Sequence, residues 1–345
     1  MSGSPAQVTV VLATYDRPET LQVAVRCVLR QSRDDWRLLV VGDHCAPATG
    51  ELLRSFDDPR IRYLNLPARW GEQSGPNSIG IALAATPWIA FLNHDDLWLV
   101  DHLERAIDAL EREAGGFHLS GCAFAFVARE EAGQRIPLFA SRNEHQAPAE
   151  RMVNPRVREF EPCSAWTLRT DVARAVGSWT SARALHRTSL HDWVLRHWRH
   201  GTRFVMSESV TCLKVTTQYH GHRRGEVTYG RASPEHRWLD RLLEERRPEA
   251  LREWLDEQCR THSHLGRNWF WGRKAFLLSP LDPLARWAMR TRGFDLHDFL
   301  ADLLGRPRGR FSRRLLRLRT GQPAPPAVAL DELLEHCRRE LAAQP

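Results

Sequence analysis

A chain of 345 residues with 42% hydrophobic and 26% charged positions falls among globular sequences and away from disordered or collagen-like ones, with length for about two domains. Its longest nearly uncharged apolar stretch, Ile79 to Leu92, is interrupted by Pro87 and falls short of the ~20 residues a spanning helix needs. Nothing basic precedes the apolar run at Val8, so the sequence predicts neither a membrane span nor a secretory signal and points to a cytoplasmic location. The 7 cysteines are scattered without a CxxC pair, against both a disulfide framework and a zinc site. The net charge of +7 is uneven: residues 231 to 345 hold 22 Arg/Lys against 16 Asp/Glu.

The first hundred residues alternate strand and helix patterns, as a parallel sheet with crossover helices requires. Val8 to Leu12 reads as a buried strand, and Pro18 suits a first helical turn followed by Leu21, Val25, Val28 and Leu29 at helical spacing. Trp36 to Val41 and Ile61 to Leu66 are further strands, Ser78 to Ala85 ends a helix, and Trp88 to Leu92 is a strand halted by Asn93-His94-Asp95-Asp96. Asp101 to Glu113 is helical. Between Gly121 and Val215, short strand patterns (Cys122 to Val127, Arg203 to Met206, Val210 to Val215) mix with helical ones (Asp171 to Val176, His191 to Arg199). From Ser233 onward strand patterns vanish, and proline-separated amphipathic helices follow around Trp238, Leu242 and Leu243 and around Leu251, Trp254 and Leu255. These features place a domain boundary near Gly230, with an α/β domain over residues 1 to 230 and a mainly helical region over 231 to 345.

Ligands of open parallel sheets bind beyond the carboxyl ends of the strands. Three such ends are polar here: Ala13-Thr14-Tyr15-Asp16-Arg17, Gly42-Asp43-His44-Cys45 and Asn93-His94-Asp95-Asp96. Paired carboxylates after a buried strand suit a hard divalent cation, Mg²⁺ or Mn²⁺, so Asp95 and Asp96 are the candidate metal ligands; the competing assignment is one helix cap and one solvated acid.

The blocks VTVVLATYDRPETL, LLVVGDHCAP and SIGIALAATPWIAFLNHDDLWLVDHL, in this order and spacing, resemble the family 2 inverting glycosyltransferases of the GT-A fold. The resemblance implies a Rossmann-like nucleotide-diphospho-sugar transferase domain, a nucleotide-sugar donor with UDP as the family default, and a divalent cation. It implies that Tyr15 stacks near the base, that Asp43 hydrogen-bonds it, and that Ala13, Asn77, Asn93, His94 and Asp95 line the nucleotide-sugar site. Asn77 belongs to Gly71-Glu72-Gln73-Ser74-Gly75-Pro76-Asn77, which resembles the family loop before the third helix and lacks an ATPase phosphate-loop pattern. Two departures stand out: Gly42-Asp43 where the family often has two aspartates, and Asn93-His94-Asp95 where many members have Asp-x-Asp. The family's acidic helix-opening motif matches His191-Asp192-Trp193, which makes Asp192 the candidate general base. Trp166 and Trp179 fall where the family builds its acceptor site.

His220-Gly221-His222-Arg223 is a basic loop suited to the diphosphate, and Arg306 to Arg319 holds seven arginines without an acid. Interleaved aromatics are nearly absent from that tail, so anionic membrane at the inner face of the cell is a better partner for it than nucleic acid, beside the plain alternative of a solvated basic helix. The expected acceptor is a sugar or lipid-linked glycan of bacterial polysaccharide or glycoconjugate synthesis. Two other functions fit the composition: a sugar nucleotidyltransferase, although Thr14-Tyr15-Asp16-Arg17 lacks that family's glycine-rich loop, and a non-catalytic docking module.

Overall fold

The computed structural model describes residues 6–142, 162–215, 234–263, 282–292, 296–310, 312–313, 316–317 and 324–344. Strands β1 (Val8–Thr14), β2 (Trp36–Gly42), β3 (Ile61–Asn65) and β4 (Trp88–Asn93) run parallel in the order β3-β2-β1-β4. Covered on both faces, they read as unbroken apolar runs, and Val8, Val10, Val11 and Leu12 are fully buried. The crossovers are helices α1 (Pro18–Leu29), α2 (Pro47–Arg54) and α3 (Ser74–Leu83). Proline in the first turn of α1 and α2 presets the backbone where no amide hydrogen is needed. Helix α3 starts at Ser74 and presses on β1 so closely that a Cβ at Gly80 would collide with the Val11 side chain.

Beyond β4 the sheet becomes mixed. Its path continues β4-β8-β6-β9-β5 through β5 (Asp96–Trp98), β6 (Phe117–Glu131), β8 (Trp166–Arg169) and β9 (Phe204–Val215), and β7 (Gln134–Arg142) pairs with β6 off this path. The β4–β8 and β6–β8 pairs are antiparallel and the β6–β9 pair is parallel. Helices α4 (His102–Arg112), α5 (Thr170–Val176) and α6 (Ser189–Arg199) complete this half. The fold is the α/β GT-A class expected from the sequence, with a helical C-terminal region.

Trp166 and Trp179 do not line a surface. They stand 0% and 3% exposed in an aromatic cluster with Trp193 of α6, with ring centroids 5.1 to 6.0 Å apart. Phe91 of β4 meets Trp193 edge-on at 5.6 Å. Neither tryptophan offers a ring face to a sugar, so the acceptor-stacking assignment is corrected: these indoles join β4, β8 and α6 by burial.

The boundary region near Gly230 lies outside the described residues, but the helices after it are not a separate body. Asp240 of α7 (Pro234–Glu245) accepts hydrogen bonds from Arg26 and Arg30, at the C-terminal end of α1, at 2.8 and 2.7 Å. Helix α8 (Pro248–Thr261) packs against β7. After α9 (Asp282–Arg292) and α10 (Leu296–Leu303), helix α11 (Leu330–Ala343) returns to the N-terminal sheet and buries Leu333 and Cys337 against Leu39, Val41, Leu64, Leu66 and Ile79. Among the described residues no helix is long and apolar enough to cross a membrane.

Because Leu333 is 1% exposed inside that shared cluster, Leu333→Ala is expected to lower the global unfolding free energy by roughly 2 to 5 kcal/mol, the range for a truncated core leucine. Urea denaturation followed by far-ultraviolet dichroism measures this; a detached tail would leave the main transition unmoved.

Candidate functional site

The three polar strand ends meet. The Asp43 amide donates to Thr14 O at 2.8 Å and the Ala46 amide to Asp16 Oδ1 at 2.7 Å, which joins the ends of β1 and β2. His94 Nδ1 lies 3.1 Å from Thr14 Oγ1, and Arg17 Nη1 reaches Asp95 Oδ2 at 3.0 Å, which joins the ends of β1 and β4. Ala13 sits in register between Val41 and Asn93. Asp16 and His44 take positive φ angles of 40° and 60°, costly conformations for residues with side chains, and both fall on these turns.

Asp43 is 5% exposed, and its two oxygens accept the amides of Trp70 (2.5 Å) and Gly71 (2.8 Å). Burial raises its pKa to about 6, against the lowering effect of those two amides and of Arg69. One face of the Tyr15 ring is covered by the Arg69 guanidinium, 4.0 Å from the centroid. Burial also pushes the Tyr15 phenol upward. Asn77 is 2% exposed, and its Nδ2 has no hydrogen-bond partner among the described residues.

The two aspartates after β4 divide. Asp95 stays at the crevice with its side chain 14% exposed, paired to the buried Arg17. Asp96 opens β5 and turns inward at 0% side-chain exposure, which corrects its assignment as a metal ligand. Its Oδ2 accepts from Ser164 Oγ at 2.6 Å and Asn93 Nδ2 at 2.8 Å, and Lys214 Nζ lies 3.2 Å from its Oδ1. Asn93 is occupied too, since its Oδ1 accepts from Cys163 Sγ at 3.2 Å. Among the described residues no group of three or more His, Cys, Asp or Glu is placed to hold a metal. Of the two aspartates after β4, Asp95 is the one whose carboxylate remains partly exposed at the crevice, an oxygen donor of the kind a hard cation takes.

On the opposite wall, Thr188 caps α6 by accepting the His191 amide at 3.3 Å. Asp192 follows in the first turn, with its Oδ2 accepting from Arg196 Nε at 3.0 Å and its side chain 18% exposed. Arg196 is itself fixed by the carbonyls of Val176 and Ser178. His220, His222 and Arg223 lie outside the described residues.

Sequence patterning does not single out three further residues. Arg17 is 4% exposed, and a buried arginine directly after a strand is the signal it leaves. Glu72 accepts from Trp70 Nε1 (3.1 Å), the Ser74 amide (3.0 Å), the Ala182 amide (3.1 Å) and Ser189 Oγ (3.2 Å), tying the Gly71–Asn77 loop to the start of α6. His236 of α7 is 1% exposed and donates from Nε2 to the Asp95 carbonyl at 2.9 Å; burial lowers its pKa. Contacts across such sequence distances leave no local pattern.

A parallel half joined to a mixed half, with acids at the junction, is the architecture of the GT-A fold. Residues 9–173 match the model of the family described as Glycosyl transferase family 2. Two curated relatives support this. One is the UDP-Glc:alpha-D-GlcNAc-diphosphoundecaprenol beta-1,3-glucosyltransferase WfgD of Escherichia coli, 29% identical over 30% of this chain and 40% of that protein. The other is the succinoglycan biosynthesis protein ExoO of Rhizobium meliloti (strain 1021), 36% identical over 29% of each chain. The chain thus spans less than half the length of the curated relatives it matches. The crystal structure of S. aureus TarS 1-349 shares the fold at a TM-score of 0.51 and 12% identity, covering 98% of this chain and 92% of that one.

Removing the counter-charge of Asp96 tests its inward placement. Lys214→Met is expected to cost about 3 to 5 kcal/mol of stability, as when one partner of a buried pair is lost. Added Mn²⁺ should not restore it in urea denaturation; recovery with the cation would return Asp96 to the metal site.

Proposed function

We propose that this domain transfers a sugar from a nucleotide-diphosphate donor, a UDP-sugar, to an acceptor hydroxyl with inversion, in the synthesis of a bacterial polysaccharide or glycoconjugate. The observation that carries the proposal is the junction of three polar strand ends at Thr14, Asp43 and Asp95, beyond the carboxyl ends of parallel strands. The likeness to the glucosyltransferase WfgD and to the succinoglycan biosynthesis protein ExoO favours the same reading.

In this mechanism the nucleoside lies beside Tyr15 and Asp43, with the loop from Trp70 to Asn77 as its wall. The diphosphate extends toward Asp95. Asp95 would hold Mn²⁺ or Mg²⁺, which when bound offsets charge on the leaving diphosphate. Arg17 keeps the Asp95 carboxylate in one orientation, and His236 fixes the backbone beneath it. The acceptor oxygen attacks the anomeric carbon as the bond from that carbon to the diphosphate oxygen breaks, and the electron pair leaves with the diphosphate. Asp192 takes the acceptor proton while Arg196 holds the carboxylate in place.

Two measurements test these roles. Asp192→Asn keeps the shape and removes the basicity, so turnover is expected to fall by about 10² to 10⁴ with UDP binding unchanged; near-normal turnover would place the base elsewhere. The Asp43 pKa is raised, so the folded protein takes up a proton at this side chain as pH falls through about 6, well above its ordinary 3.8. This group therefore disfavours the fold above pH 6 and does so less as the pH drops toward 3.8, while the loop amides and the base lose their charged acceptor. UDP affinity by calorimetry is expected to decline with an inflection near pH 6, at most about tenfold per unit, and to lose that inflection in Asp43→Asn.

A further inference from the structure

Helices α9 and α10, with Leu304 in the turn that follows α10, carry all the exposed large hydrophobic side chains among the described residues: Leu284, Trp287, Phe299, Leu300, Leu303 and Leu304, from 37% to 70% exposed. They are not scattered. Leu284 and Trp287 are three apart, and Phe299 with Leu303 and Leu300 with Leu304 are four apart, so each set occupies one helix face. Met289 and Ala301, on other faces of the same helices, are buried at 4% and 5%. Exposed arginines accompany the apolar faces: Arg290 and Arg292 end α9, and Arg306 and Arg310 follow α10. Of the described acids nearby, Asp298 pairs with Arg187 and Asp302 with both His186 and Arg308, so among the described side chains the charge left over on this face is positive.

This surface is fastened to the catalytic wall. The Gly309 amide donates to Leu185 O at 2.8 Å, Arg308 Nη1 to Ala184 O at 3.1 Å, and Ser312 Oγ to Ala182 O at 3.4 Å. Residues 182–185 run into α6, which carries Asp192, and Glu72 holds the same stretch from the donor side.

We propose that the α9–α10 face docks on an anionic lipid bilayer, with the leucines and Trp287 in the interfacial region and the arginines on the headgroups. A helix that pairs an apolar face with flanking cations binds this way, and an exposed apolar face of this extent gains stability when it leaves water. Docking sets residues 182–188 and the start of α6 close to the bilayer, where a lipid-linked acceptor presents its sugar. That last step rests on the glycosyltransferase reading above; the docking itself does not.

The test is sedimentation of the full chain with phosphatidylglycerol and with phosphatidylcholine vesicles at low salt. The wild type is expected to sediment with the anionic vesicles at least tenfold more than with the neutral ones, and less as salt rises. The double variant Leu303→Glu with Leu304→Glu is expected to lose this by tenfold or more while UDP binding stays unchanged. A readout in the wild-type fold guards against a misfolded variant: brominated phosphatidylglycerol should quench the fluorescence of the wild type more than that of Trp287→Phe. No preference for anionic vesicles, or equal quenching in both proteins, overturns the proposal. So does a solution dimer that the double glutamate variant dissolves, because the face would then belong to a second copy of the chain.

Discussion

A single carboxylate, that of Glu72, accepts hydrogen bonds from its own loop at Trp70 and Ser74, from the Ala182 amide and from Ser189 at the head of α6. Those donors lie up to 117 residues away in the sequence, and the two walls of the crevice are built from them. From the other side Asp43 holds the amides of Trp70 and Gly71, so two acids grip one loop between the parallel half and the mixed half of the sheet. Charged acceptors make stronger hydrogen bonds than neutral ones, and sharing one among several segments converts that strength into a fixed distance between walls. Arg183 Nη2 adds a third fastening to the Trp70 carbonyl at 2.9 Å.

The departures from the family pattern are matched by compensations nearby. At Gly42 a Cβ would lie 2.7 Å from the Tyr63 hydroxyl and 2.8 Å from Asn65 Oδ1, so a second aspartate there would collide with β3. Asn65 uses that space to bond the Cys45 amide and carbonyl, shaping the turn that carries Asp43. At Asn93 the amide bridges Asp96 and Cys163, a connection that needs both a donor and an acceptor and that an aspartate cannot make when ionised. In this protein both positions hold the scaffold of the site.

Much of the parallel half was legible in the sequence because strands buried on both faces appear as unbroken apolar runs, as Val8 to Leu12 and Trp88 to Leu92 do. The strand ends were legible for the same reason, as polar residues that stop a run. Asp96 was not, because its partners Ser164 and Lys214 arrive from the turn before β8 and from β9, and a buried carboxylate looks like a ligand until its counter-charge is seen. Strand β5 was hidden with it. Trp166 and Trp179 failed in the opposite direction: an indole suits a core as well as a sugar, and local pattern does not distinguish them. The basic tail showed its charge, but its leucines became an exposed face only once the opposite sides of α9 and α10 were seen to be buried.

The return of α11 to the first sheet also bears on how the protein is made. Gln344 donates to the Tyr63 carbonyl across 281 residues, and Leu333 and Cys337 cover Leu39, Val41 and Leu64. At synthesis rates of about 5 to 20 residues per second, β2 and β3 wait on the order of tens of seconds for the helix that covers them. Through that interval the nascent sheet presents an apolar patch that a chaperone or a neighbouring chain can occupy. Synthesis interrupted before α11 therefore leaves a polypeptide with every described strand of the sheet and an open hydrophobic flank, an aggregation hazard that α11 removes by packing over β2 and β3.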